Sequence, residues 1–247
     1  MSSRRAERLT SLANALSRRG VLRLREAAEI LSVSEMTVRR DVSASPDRFA
    51  YLGGHIVSAA DIGTGGAYVL DREVDSHTKA KAAACAAAVE LLRDDDTIFV
   101  DCGSTLIHLA EQIPPDIGIT AVCYSLNIAD ILSKKQNVRM ILLGGVYHAA
   151  SASFSSDDSL AALSRFGINK AFISAGGVDV ERGASCSNFH EVPIKQKAMQ
   201  GAIESHLVVD SSKFGKIRPA YFARIDQFDS IITEAGTQPR PSRKVRV

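Results

Sequence analysis

The sequence predicts an α/β protein in two unequal parts. Three observations predict it. From residue 76 onward, apolar runs of strand length alternate with helical stretches of about ten residues, the pattern of a largely parallel sheet. Before residue 57, three closely spaced helical patterns precede a single hairpin signal. Charge divides at the same place: residues 1–55 hold ten Lys/Arg against six Asp/Glu, and residues 56–247 hold twenty against twenty-two. Of 247 residues, 45% are hydrophobic, enough for a core in each part.

In chain order, Leu9, Leu12, Ala13 and Leu16 recur at helical spacing between Arg4 and Arg19, and Gly20 stops that helix. "VLRL" is a short extended piece. "REAAEIL" places Ala27, Ala28 and Leu31 on one helical face. Ser34 stands where a third helix, "EMTVRRDV", needs a cap. "FAYLGGHIVSA" reads as a hairpin around Gly53–Gly54. This order is the layout of a winged helix-turn-helix over residues 1–57. Residues 58–75, with Gly63, Gly65 and Gly66, read as a linker. Ser76 is placed to cap the alanine-rich helix that opens the larger domain, residues 76–235. Residues 236–247 end in "RPSRKVRV" and read as a disordered basic tail.

Several function classes fall away. The polar start carries no signal-peptide core, and no apolar run reaches the roughly 18 residues of a membrane span, so a cytoplasmic protein is expected. Cys85, Cys102, Cys123 and Cys186 form no CxxC pair; reduced thiols are expected, with no metal site and no cofactor.

In a helix-turn-helix the second helix enters the major groove, and here Thr37, Arg39 and Arg40 lie on it. Arginine forks onto guanine or grips phosphate. Ser34 offers a hydroxyl and helix N-terminal amides to a phosphate. Met36 and Val38 divide between buried and groove-facing positions. Alternatively, Arg39 and Arg40 are a solvated helix end that suits the dipole. The three-helix context and the basic excess favour DNA. A carboxylate facing DNA is repelled, so Asp41 is expected to tie the third helix to its neighbours.

In the larger domain, loops at strand ends carry the candidate ligand groups, because ligands of parallel sheets sit outside the carboxyl ends of strands. "VDCGST" offers Asp101, Gly103, Ser104 and Thr105, a phosphate cradle or an ordinary capped turn. It is no Walker loop. "CYSLN" offers Ser125 and Asn127, either caps or partners of sugar hydroxyls. Gly144–Gly145 permits close approach to a ligand. Asp179, Glu191 and Lys195 are the ionisable members of the next loop; the last two also have the spacing of an ordinary helix ion pair. Lys213, in "VVDSSKFGK", grips phosphate or is simply exposed.

Residues 4–42 resemble the DNA-binding domain of the DeoR family of bacterial repressors, whose closing Ser/Thr-x-x-Thr-hydrophobic-Arg-x-Asp run stands here as Ser34, Thr37, Val38, Arg39 and Asp41. The downstream motifs resemble the sensor domain of the same family over nearly the whole chain. That resemblance implies a fold similar to ribose-5-phosphate isomerase, with the twelve loop residues above, Asp101 to Lys213, as the effector site. "CYSLN", "KIRPA" and Cys102 favour the deoxyribonucleoside branch, which implies a repressor released from its operator by deoxyribose 5-phosphate. Leu106 departs from the pattern, standing where many members have a threonine, and His190 departs where a polar or acidic residue is usual; His190 receives no role. The competing expectation is an isomerase with an accessory DNA-binding piece, with Asp101, Asp179 and Glu191 as candidate bases. Expected partners are operator DNA and a phosphorylated sugar, and a homodimer or larger even oligomer to match a two-fold operator.

Overall fold

The structure is a computed structural model in which residues 2–19, 21–45, 48–52, 55–58 and 77–239 are described. In the N-terminal module, α1 (Ser2–Arg19), α2 (Leu24–Leu31) and α3 (Glu35–Ser43) pack with β1 (Val21–Arg23) and the hairpin strands β2 (Phe49–Leu52) and β3 (His55–Ser58). Leu9, Leu12 and Leu16 of α1 are buried with Leu22, Ala27, Val38, Val42, Phe49 and Ile56, so one small core holds the helices to the wing. The extended piece has a structural use: β1 pairs antiparallel with β3, making a three-stranded wing in the order β1-β3-β2. Leu24, expected in that piece, instead opens α2.

The larger domain comprises α4 (Thr78–Val89), β4 (Thr97–Val100), α5 (Ser104–Gln112), β5 (Ile119–Cys123), α6 (Leu126–Leu132), β6 (Val138–Leu142), β7 (Val146–His148), β8 (Ser153–Ser155), α7 (Asp157–Leu163) and β9 (Ile168–Ile173). It continues with β10 (Gly177–Asp179), β11 (Gly183–Cys186), α8 (Val192–Gly201), β12 (Ala202–Val208), β13 (Ala220–Ala223), β14 (Ser230–Thr233) and β15 (Gly236–Pro239). The main sheet runs β15-β14-β12-β9-β4-β5-β6, parallel throughout except for β15. One face is covered by α4, α5 and α6 through Ala84, Cys85, Ala88, Leu106, Leu109 and Ile128. The other is covered by α7, α8 and a small antiparallel sheet, β10-β11-β13.

Three boundaries differ from expectation. Ser76 lies outside the described residues, and the residue flanking α4 is His77, in a left-handed conformation with no side-chain cap. Ser58, assigned to the linker, closes β3 because it pairs with Phe49; the rest of the linker lies outside the described residues. Residues 236–239, assigned to the tail, form β15. Gly236 takes a φ of 101°, which glycine tolerates, and returns the chain antiparallel against β14. The basic residues from 240 onward lie outside the described residues.

The strand order fixes where a ligand can sit. From β4 the chain moves to β5 and β6 on one side, then crosses to β9, β12 and β14 on the other. The topological switch point therefore lies between β4 and β9, and the crevice outside their carboxyl ends is where open α/β sheets bind ligands.

Candidate functional site

A cleft opens at that switch point. It is lined by Gly103, Ser104 and Thr105 after β4, Ser174–Gly176 after β9, Cys186 and Ser187 after β11, and Glu191, Lys195 and Lys213. The N-terminus of α5 faces it, so backbone amides and the hydroxyls of Ser104 and Thr105 converge there.

Beneath the cleft is a buried charge network. Lys195 Nζ donates to Asp101 Oδ2 at 2.5 Å and lies 3.4 Å from Glu191 Oε2. Asp101 Oδ2 also accepts from the Ser174 amide (2.9 Å) and hydroxyl (2.6 Å), and Tyr124 donates to Oδ1 at 2.5 Å. Burial pushes the Asp101 carboxyl up, but Lys195, Ser174 and Tyr124 outweigh it and hold the carboxyl below the usual range. Burial pulls Lys195 down, yet the two carboxylates keep it well above its ordinary value. For Glu191 burial wins over the pull of Lys195, with Asp101 adding to it, and the carboxyl lies above its ordinary value. The expected i,i+4 pair of Glu191 and Lys195 exists, but its shorter contact is to Asp101, ninety-four residues away in sequence.

The structure separates the twelve predicted residues. Gly103, Ser104, Thr105, Glu191, Lys195 and Lys213 line the cleft. Lys213, left between gripping and exposure, is buried. Asp101 is fully buried with both oxygens occupied, so it holds Lys195 and is not itself presented to a ligand. Gly103 is required by the chain: a Cβ there would run into the Ser174 side chain. Gly144 and Gly145 do not line the cleft. The close approach at Gly145 is to Ser155 and Ser156, and Gly144 O accepts from Ser159. Asp179 sits at the β10–β11 turn, where its Oδ1 accepts from the amides of Glu181 and Arg182. Ser125 occupies the cap position of α6 without making the cap bond. Its Oγ, and both amide atoms of Asn127, are buried with no hydrogen-bond partner among the described residues.

Two members had no place in the sequence reading. Lys81 of α4 is fully buried and donates to Ser104 Oγ at 3.1 Å. Its signal was positional: Lys81, Ala84, Cys85 and Ala88 share one helical stripe, and that stripe is buried. Tyr124 is also fully buried and anchors Asp101. The four cysteines are free and buried; burial pushes Cys85, Cys123 and Cys186 up to about 12, so they are unreactive thiols.

His190, next to Glu191, stacks on His148 with centroids 3.6 Å apart and an interplanar angle of 11°. Burial, with the charges of His148 and Lys195, pulls the His190 imidazole down to about 4. A depressed histidine contributes stability that is full above its unfolded pKa of ~6.5 and is lost as pH falls towards the folded value. We expect the His190 ring protons, followed by NMR, to titrate with a midpoint about 4. A midpoint near ~6.5 would mean that the ring is hydrated and unstacked.

In the N-terminal module, Ser34 caps α3, accepting from the Thr37 amide at 3.3 Å and bonding the Thr37 hydroxyl at 2.9 Å. The Ser34 hydroxyl is thus engaged by the helix. Arg39 and Arg40 are exposed, Val38 is fully buried and Met36 is 75% exposed. Asp41 faces inward: Arg8 binds Oδ2 at 2.7 and 2.8 Å, and Arg5 lies 3.5 Å from Oδ1. The modules touch where Arg182 Nη2 donates to Glu26 Oε1 at 3.1 Å.

A winged helix-turn-helix on a cleft-bearing α/β domain is the architecture of a two-domain DNA-binding regulator. The chain belongs to the DeoR family: its residues 8–44 match the DeoR-like helix-turn-helix domain and residues 76–235 the DeoR C-terminal sensor domain. The deoxyribose operon repressor of Escherichia coli (strain K12) is 40% identical over 234 residues, spanning 95% of this chain and 92% of that one. Among solved structures, the tetrameric eIF2B-beta2-delta2 complex from C. thermophilum shares the fold with a TM-score of 0.51 and 15% identity, over 69% of this chain and 60% of that one. Ribose 5-phosphate isomerase A from Methanocaldococcus jannaschii gives 0.43 and 16%, over 56% of this chain and 55% of that one. No helix among the described residues is long and apolar enough to cross a membrane.

Proposed function

We propose that this protein represses a deoxyribonucleoside or sugar catabolic operon and is released from its operator by a phosphorylated sugar, with deoxyribose 5-phosphate as the effector. The observation that carries this reading is the cleft at the switch point, with a helix N-terminus, two hydroxyls and the ammonium groups of Lys195 and Lys213 in the same chain as a helix-turn-helix whose second helix exposes Arg39 and Arg40. Phosphate would lie at residues 103–105 against Lys213, with Lys81 behind Ser104. The name of the 40% identical relative supports the choice of sugar.

The isomerase reading needs a carboxylate beside the reacting carbon. Asp101 has no free oxygen and Asp179 serves a turn, which leaves Glu191 alone in the cleft, bonded to Asn188 and Lys195. We therefore place the protein among binders, acting in the cytoplasm as a homodimer or larger even oligomer on a two-fold operator. The Arg182–Glu26 contact offers a route for the signal, because Glu26 also accepts from the Arg23 amide at the start of α2.

Calorimetric titration with deoxyribose 5-phosphate, beside release of bound DNA and a turnover assay, tests the proposal. Binding and release without turnover are expected; repeated conversion of a pentose phosphate would establish the isomerase instead. Lys213→Ala should weaken effector binding by roughly 10- to 100-fold, the equivalent of one charge-assisted hydrogen bond, while DNA affinity holds. An unchanged effector response would move the phosphate elsewhere.

A further inference from the structure

The hairpin β7–β8 folds over the carboxyl end of β5. The Phe154 amide donates to Tyr124 O and the Leu126 amide to Ala152 O, both at 2.8 Å, and Ser125 bridges to Ser153. On its other side the hairpin meets the 3-10 turn Phe189–Glu191. His190 Nε2 lies 3.2 Å from Ser151 Oγ and 3.5 Å from Ser153 Oγ, and His148 Nε2 lies 2.7 Å from Ser155 Oγ. The stacked imidazoles therefore clasp the hairpin to the turn that carries Glu191 into the cleft.

Ser125, bridged to Ser153 of this hairpin, and Asn127, two residues on, carry polar groups that the described residues do not satisfy. The Ser125 hydroxyl and the Asn127 side-chain amide are buried without partners among the described residues. Each such group costs about 1–3 kcal/mol if nothing meets it. A ligand that both donates and accepts hydrogen bonds would satisfy them. Serine, asparagine and an imidazole both donate and accept, as sugar hydroxyls require. His190 stands one residue before Glu191, which lines the cleft, and the charge of Lys195 reaches its ring, so the imidazole lies beside the cleft on the Glu191 side.

We propose that His190, positioned by its stack on His148, is a specificity-determining residue that meets the hydroxyl-bearing end of a sugar phosphate whose phosphate lies at residues 103–105. The inference rests on the effector reading above and adds the group that reads the sugar. His148 is a positioning residue, holding the ring that touches the ligand.

The test is calorimetry on the full chain with three probes: inorganic phosphate, deoxyribose 5-phosphate and ribose 5-phosphate. If the unaltered protein binds neither pentose phosphate, the effector reading fails first and takes this inference with it. If it binds them, His190→Ala should lower deoxyribose 5-phosphate affinity about five- to tenfold, one neutral hydrogen bond, and shrink the ratio between the two pentose phosphates. Inorganic phosphate should be unaffected. His190→Asn should restore part of the loss, and His148→Ala should fall between. A uniform loss across all three probes, or no loss in His190→Ala, overturns the proposal. Because His190 also bonds Ser151 and Ser153, a thermal melt of each variant sets the temperature of the titration, at which every variant is folded.

Discussion

Lys195→Met is expected to lower the unfolding free energy by about 3–5 kcal/mol, because it leaves two buried carboxylates without their cation. Asp101 is 0% exposed and Glu191 4%, so neither carboxylate is well hydrated once the ammonium is gone. Methionine keeps the length and apolar character of the lysine stem, so the expected loss is electrostatic. Denaturant unfolding at pH 7 measures it. The pH dependence separates this cause from a packing defect. In the unaltered protein Asp101 is depressed, so its contribution is full above the ordinary carboxylate pKa of ~4 and is lost at lower pH. Lys195 is raised, so its contribution is full below ~10.4 and is lost as pH rises through its folded value. Glu191 is raised, so its contribution is greatest below ~4.3 and declines as pH rises through its folded value. Without the ammonium, both carboxylates gain by taking a proton. The deficit of Lys195→Met should therefore shrink as pH falls from 7 towards 4. Adding Asp101→Asn should recover much of the loss at pH 7. A deficit that stays constant with pH would mean that lost packing, not uncompensated charge, is the cause.

This network marks the limit of what the sequence could tell. Alternating apolar runs were enough for the parallel sheet, since strands buried on both faces have little freedom in composition. The helix-turn-helix was legible because Leu9, Leu12 and Leu16 keep helical spacing in the first helix, and Val38 and Val42 in the third, around a small core. Roles within the loops were less legible, because a loop motif names residues and not the direction in which they point. Asp101 and Glu191 look alike in sequence, yet one is enclosed by four donors and the other lines the cleft. Gly145 looked like a ligand cradle, and it accommodates Ser155 and Ser156 instead; Gly103 lines the cleft and makes room for Ser174 as well. Lys81 was hidden by its company: in an alanine-rich helix a lysine reads as solvated. The small sheet β10-β11-β13 was invisible because β13 joins it from thirty-four residues beyond Cys186.

Arg39→Ala should weaken operator binding by about 1–3 kcal/mol, five- to roughly 150-fold, if the guanidinium meets a guanine edge. If it grips a phosphate instead, the loss should be similar for every sequence, and the slope of affinity against salt should fall by about one ion. Fluorescence anisotropy on a DNA fragment selected from a random pool by the unaltered protein, repeated at several salt concentrations, distinguishes the two. The geometry of α3 makes this a clean measurement. Arg39 is exposed beside the buried Val38, so its removal subtracts a surface group and leaves the small core intact. Asp41 provides the contrast. It lies under the same helix, bound by Arg8 and within 3.5 Å of Arg5 of α1, so Asp41→Ala should lower the melting temperature of the module as well as DNA affinity. Arg39→Ala should lower affinity with much the smaller change in melting temperature, and leave effector binding in the cleft of the larger domain unchanged. Were both variants to melt early, Arg39 would be part of the fold and the reading surface of α3 would pass to Thr37 and Arg40.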